Sequence, residues 1–135
     1  MRVVVENRYL CVEVPEPENP ARVQAAVGVW YVDRGREVFP ERLRLCRDLP
    51  VFRSLPVPRL CLRKMSKRWG SCSAANLLTI NTDLIRAPRS CIDYVLTHEL
   101  CHLLHPNHSS DFYRLLSSVM PDWEKRKLRL ERLLC

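Results

Sequence analysis

Residues 98–102 read His-Glu-Leu-Cys-His, and a further histidine, His108, follows five residues later. No other feature restricts the fold of this chain so tightly, because the chemistry it implies requires a helix. On a helix, positions i and i+4 lie one above the other on the same face. His98 and His102 can therefore present two imidazoles to one metal ion, and Glu99, one step round, can reach a water bound to that ion. Zinc enzymes typically use three protein ligands and leave the fourth position to water. All four histidines of the chain fall between positions 98 and 108. The preceding segment, Ile92-Asp93-Tyr94-Val95-Leu96-Thr97, is mostly apolar, which predicts a buried helix over about 90–104. Ser90 followed by Asp93 supplies a capping-box-like start for it.

The third ligand is a choice between His105 and His108. On a continuous helix His98 and His105 would lie about 10 Å apart along the axis, at about 1.5 Å rise per residue. An ion about 2.1 Å from each nitrogen does not bridge that span. Pro106 disfavours helical geometry at His105 and should end the helix there. The chain can then turn back and bring His108 to the metal, leaving His105 to shape the turn or support a ligand. Cys101, inside the motif, is a soft-ligand rival, but it lies about 60° to one side of His98 while Glu99 and His102 lie on the other. It reads as a small buried hydrophobe, the usual state of a free cysteine.

The 135 residues suit a single domain with one core. No apolar run is long enough to span a bilayer. The start, Met1-Arg2-Val3-Val4-Val5-Glu6, lacks the apolar stretch of a signal peptide. Seven cysteines is an odd number and none forms a Cys-x-x-Cys pair, so reduced thiols in a cytoplasmic protein are expected. The net charge is +7, with excess cations at Arg34–Arg47, at Arg63-Lys64 with Lys67-Arg68, and at Lys125–Arg132. Such a balance permits contact with nucleic acid or acidic substrates. With few aromatics and no stacking motif, a solvated arginine-rich surface is the simpler reading.

Along the chain, Val3–Val5 and Tyr9–Val12 read as two short strands around Glu6-Asn7-Arg8, a hairpin within residues 1–14. Pro15, Pro17 and Pro20 punctuate its exit. A long helix is predicted from about Ala21 to Cys46, with Val23, Val27, Trp30 and Tyr31 on one side and Pro40 bending or dividing it. Pro50, Pro56 and Pro58 mark a loop. Leu60–Leu62 and Leu77–Ile80 read as strands joined by a polar connection around Gly70. Helices are expected at 90–104, 109–119 and 121–134. Phe112, Leu115, Leu116 and Val119 form an apolar stripe on the middle one, and Asp111 suits its N-terminal dipole.

Arg68-Trp69-Gly70-Ser71-Cys72-Ser73, Ile80-Asn81, Leu84, Asp93-Tyr94-Val95, the motif with Leu103, and Asn107-His108-Ser109 together resemble the YgjP-like metallopeptidase domain family. Its wider relatives are the SprT-like and WLM zinc peptidases. The resemblance covers roughly residues 20–130. It implies an α+β, minimal zincin-like domain: a small β-sheet packed on a zinc-bearing helix with flanking helices, its core in 20–135. It also implies His98, His102 and His108 as zinc ligands and Glu99 as catalytic base. The His102–His108 spacing equals that of the metzincin signature, but His105 stands at the glycine position where a tight turn is made. The chain is therefore not read as a metzincin. Met120 reads as core at the end of the 109–119 helix rather than as a residue beneath the metal.

The expected activity is zinc-dependent peptide hydrolysis through an activated water, with Glu99 as general base and a peptide or protein as substrate. The developing oxyanion needs a donor, and Arg68, Tyr94 and Tyr113 are the candidates. The strand Leu77–Asn81 is a candidate edge for an extended peptide. Two alternatives compete: a catalytically weak module binding metal and nucleic acid, and a protease acting near DNA, as the SprT and WLM resemblance suggests. A three-histidine site also accepts divalent ions other than zinc.

Overall fold

The computed structural model describes residues 2–6, 9–13 and 20–134, and side chains from Gln24 to Leu133 together with Ala21. Asn7, Arg8, Pro15 and Pro17, and the side chain of Val23, lie outside the described residues. The first two strands, β1 (Arg2–Glu6) and β2 (Tyr9–Glu13), pair antiparallel as expected. Their hairpin lies against helix α1 (Pro20–Cys46).

Helix α1 is not divided at Pro40. Proline there has no N–H for the carbonyl four residues back, but Pro40 and Arg36 are both exposed, so water can satisfy that carbonyl. The core face of α1 is not centred on the side that carries Val27, Trp30 and Tyr31. Ala26, Gly35, Phe39 and Leu43 are buried, whereas Val27, Trp30 and Tyr31 are only half-buried. The Pro50 segment forms a short helix, α2 (Pro50–Arg53), which carries the buried Phe52 into the core.

A second sheet follows: β3 (Arg59–Arg63), β4 (Gly70–Ser73) and β5 (Leu77–Asn81), in the order β3-β5-β4. β5 is central, parallel to β3 and antiparallel to β4. The expectation that Leu77–Asn81 offers a free edge is therefore overturned, because its backbone is paired on both sides. The edges are β3 and β4, and the one that lines the histidine cleft is β4, which the sequence presents only as a polar connection. Asn76 turns the β4–β5 hairpin with φ of 59°, a conformation asparagine tolerates better than most residues.

A 3-10 turn, Thr82–Arg86, leads to α3 (Arg89–Leu104), followed by α4 (Ser110–Val119) and α5 (Trp123–Leu134). Helix α3 is the centre of the molecule, packed against α1, β4, α4 and α5. Cys91, Ile92, Val95, Leu96, Leu100 and Cys101 are all buried, and a helix that is apolar on nearly every side belongs inside a core. The capping box at Ser90 and Asp93 does not form. The cap is Pro88, whose carbonyl accepts from the Cys91 and Ile92 amides. Asp93 instead takes both prongs of the Arg42 guanidinium, at 2.8 and 2.6 Å, and ties α3 to α1. Ser90 supplies its carbonyl to Arg126 of α5. Among the described residues no helix is long and apolar enough to cross a membrane.

Candidate metal centre

His98 and His102 stand one turn apart on α3, and α3 ends at His105, ahead of Pro106 as the chain's chemistry predicts. The turn that follows returns His108 to the helix. The ring nitrogens offered by His98, His102 and His108 all lie within 4.8 Å of one another. His105 is not in that group. It contributes its backbone carbonyl, which lies 3.2 Å from His102 Nδ1. A carbonyl can only accept, so a neutral His102 ring donates from Nδ1 and keeps Nε2 free as a metal ligand. That Nε2 faces His108 Nε2 at 3.0 Å. Ligands of a tetrahedral ion at about 2.05 Å would stand about 3.3 Å apart, so the pair is spaced for a shared ion. Desolvation lowers the His108 pKa, and His102 and His98 beside it act in the same direction. This favours the neutral imidazole that a metal requires. The separations and the lowered His108 pKa thus fit the donor set of a zinc site.

Glu99 is 5% exposed, and its Oε1 lies 3.1 Å from His98 Nδ1. A neutral His98 ring that donates there from Nδ1 keeps its Nε2 free as a metal ligand. Cys101 is fully buried, and burial pushes its thiol up to about 12. It stays a thiol packed in the core and takes no place in the histidine group.

Phe112 is the floor of the site. Its ring centroid lies 5.1 Å from that of His98, 4.5 Å from His102 and 5.0 Å from His108. It is wholly buried, so the imidazoles rest on a fixed surface. The Ser109 hydroxyl, which accepts from the Phe112 amide at 3.4 Å, starts α4 directly after His108. The sequence presents Phe112 only as one position of an apolar stripe. Met120 is the C-cap of α4 and belongs to the core, as expected.

The histidines open onto a cleft of about 510 Å³. One wall is the segment Lys67–Cys72. The other is Tyr94, Val95, His98, Glu99 and His102 with Pro106 and His108. Arg68 is exposed on the first wall, and Tyr94 is mostly buried on the second. Burial pushes the Tyr94 phenol up to about 12, with smaller contributions from Glu131, Tyr113 and Glu99. Its hydroxyl therefore remains a donor. Tyr113 does not line the cleft. It is exposed, stacked on His108 at 6.1 Å and on Trp123 at 5.6 Å.

Two residues outside the expected set place the cleft wall. A Cβ on Gly70 would stand 3.2 Å from Glu99 Cγ, Ile80 Cδ1 and Val95 Cγ1. The absence of a side chain is what lets β4 lie directly on α3. Asn81, 4% exposed, donates from Nδ2 to the carbonyls of Met65 and Arg68, each at 2.9 Å. Its Oδ1 accepts from the Asp83 amide, and its own amide donates to Trp69 O. One buried amide thus ties down the whole segment ahead of β4. Asn81→Ala is expected to cost about 2–4 kcal/mol, because two carbonyls and an amide lose their partner. Urea denaturation measures this, and a loss below about 0.5 kcal/mol would mean that water replaces the side chain without penalty.

A buried helix bearing His-Glu-x-x-His, a third histidine returned by a turn, and a sheet whose edge lines the same cleft define a zincin-type metal-dependent hydrolase. The chain belongs to the YgjP-like metallopeptidase domain family, whose model matches residues 2–133. The solved metallopeptidase zymogen of Pyrococcus abyssi, abylysin, is similar with a TM-score of 0.65 at 20% identity, covering 72% of this chain and 95% of that one. The metallopeptidase zymogen jannalysin of Methanocaldococcus jannaschii is similar with a TM-score of 0.62 at 16% identity, covering 72% and 90%. At these identities the likeness is one of fold. No curated protein matches the sequence.

Proposed function

We propose that this metallopeptidase hydrolyses peptide bonds with zinc held by His98, His102 and His108 and with Glu99 as general base. The observation that carries the reading is the convergence of three imidazole nitrogens within 4.8 Å beside a buried carboxylate, all opening onto one cleft. When bound there, zinc supplies Lewis acidity and a water acidic enough to give up a proton near neutral pH.

The remaining work falls to the chain's own residues. Glu99 accepts the proton of the attacking water at a carboxylate oxygen and later delivers it to the leaving amine. His98, whose Nδ1 donates to Glu99, holds that carboxylate in place. The His105 carbonyl orients His102, as outer partners of ligating histidines commonly do. Tyr94, protonated and lining the cleft, donates to the developing oxyanion, and Arg68, which also lines it, holds the substrate. Tyr113 acts instead through its stacking on His108. The edge strand β4 offers backbone groups to an extended peptide in the cleft.

The test is hydrolysis of an unfolded protein substrate by the zinc-loaded enzyme. Activity is expected to vanish on chelation and to return with about one equivalent of zinc. Hydrolysis that survives complete chelation would rule the proposal out.

A further inference from the structure

No aspartate or glutamate occurs between Asp48 and Asp83, while Arg53, Arg59, Arg63, Lys64, Lys67 and Arg68 all fall in that interval. The sheet beside the cleft is therefore built from a purely cationic stretch. Its densest part is the connection from the end of β3 into β4, where Arg63, Lys64, Lys67 and Arg68 are all exposed. Among the described residues, none of these four side chains forms an ion pair or hydrogen bond. Elsewhere on the surface, Arg34, Arg44 and Arg114 each sit beside a carboxylate three residues away.

This segment is not a free loop, because Asn81 holds it at Met65 and Arg68. Lys67 and Arg68 line the histidine cleft, and among the described residues Glu99 is the only carboxylate that does. Fixed, unpaired cations at the mouth of a concave site concentrate ligands of opposite charge. They also immediately precede β4, the strand along which a peptide would lie.

We infer that this rim selects acidic peptide segments, so that preferred substrates carry aspartate or glutamate close to the cleaved bond. The inference rests on the peptidase reading above. An acidic peptide fits better than a duplex nucleic acid because Lys67 and Arg68 line the histidine cleft itself, with Arg63 and Lys64 on the surface adjoining it. The other basic cluster, on α5, is partly engaged: Arg126 pairs with Asp122 and the Ser90 carbonyl, and Arg129 reaches the Ser90 hydroxyl.

The test compares two fluorescent peptides of one sequence, with glutamates or glutamines on both sides of the bond. Binding is measured by anisotropy to zinc-loaded Glu99→Gln protein, and turnover with the wild type. The glutamate peptide is expected to bind roughly tenfold tighter at about 50 mM salt, from a few exposed charge pairs, and within about twofold at 0.5 M. Lys64→Glu with Lys67→Glu should abolish or invert the preference while zinc content stays at the wild-type level.

Equal affinity for the two peptides overturns the inference, and cleavage of either by the wild type then leaves the peptidase reading standing. A glutamate preference without cleavage of either peptide supports the acidic-ligand surface and removes the peptidase reading. A duplex DNA of equal charge that binds more tightly than the glutamate peptide overturns the inference in favour of nucleic acid.

Discussion

Glu99→Gln is expected to reduce peptide hydrolysis by about a thousandfold, within the range general acid–base catalysis contributes, while metal content stays unchanged. The substitution keeps size and shape, so the 5%-exposed site between His98 and Gly70 is not repacked. An amide oxygen can still accept from His98 Nδ1, now 3.1 Å from the carboxylate. What the amide cannot do at neutral pH is take a proton from water. Steady-state kinetics beside elemental analysis of the same preparation separates the two effects. Turnover within about tenfold of wild type would place the base elsewhere.

The second large effect concerns the two histidines beyond the helix end. His108→Ala is expected to lower zinc affinity by more than a hundredfold, since even the supporting partners of ligands are worth about 10–100-fold. His105→Ala is expected to retain the metal, because the contact to His102 comes from its backbone carbonyl, which alanine also has. Zinc per chain, measured on protein purified without a nickel column and followed by chelator competition, distinguishes the pair. Loss of zinc in both variants would mean that the His105 side chain is needed. Loss in neither would move the third ligand to another residue.

The parts of the site that were legible in the sequence are those held by short-range geometry. His98, Glu99 and His102 are related by one helical turn, and Pro106 marks where that turn must stop. The β1–β2 hairpin and helices α3, α4 and α5 are legible for the same reason: alternation, apolar periodicity and turn residues act over a few positions. Strand β4 was not legible, because Gly-Ser-Cys-Ser has neither alternation nor β-branched residues. It is a strand because Gly70 can lie against Val95 and Glu99 and because β5 pairs with it. The face that α1 buries is set in a related way. Val27, Trp30 and Tyr31 are bulky, but the smaller Gly35 with Phe39 and Leu43 marks the face that enters the core. Asp93 was read as a cap, yet Arg42, fifty-one residues away, binds it.

Spacing alone was enough to pair His98 with His102 and to set Glu99 beside them, because a helix leaves those residues no other relation. With Pro106 ending the helix, it also favoured His108 over His105 as the third ligand. Tertiary packing decided that His108 joins the group, that Phe112 lies beneath all three rings, that β4 and not β5 is the open edge at the cleft, and that Asn81 holds a cationic segment over the cleft. These relations join residues on separate elements. They exist only because α3 is buried on nearly every side, and each neighbour that covers it brings its own side chains to the site.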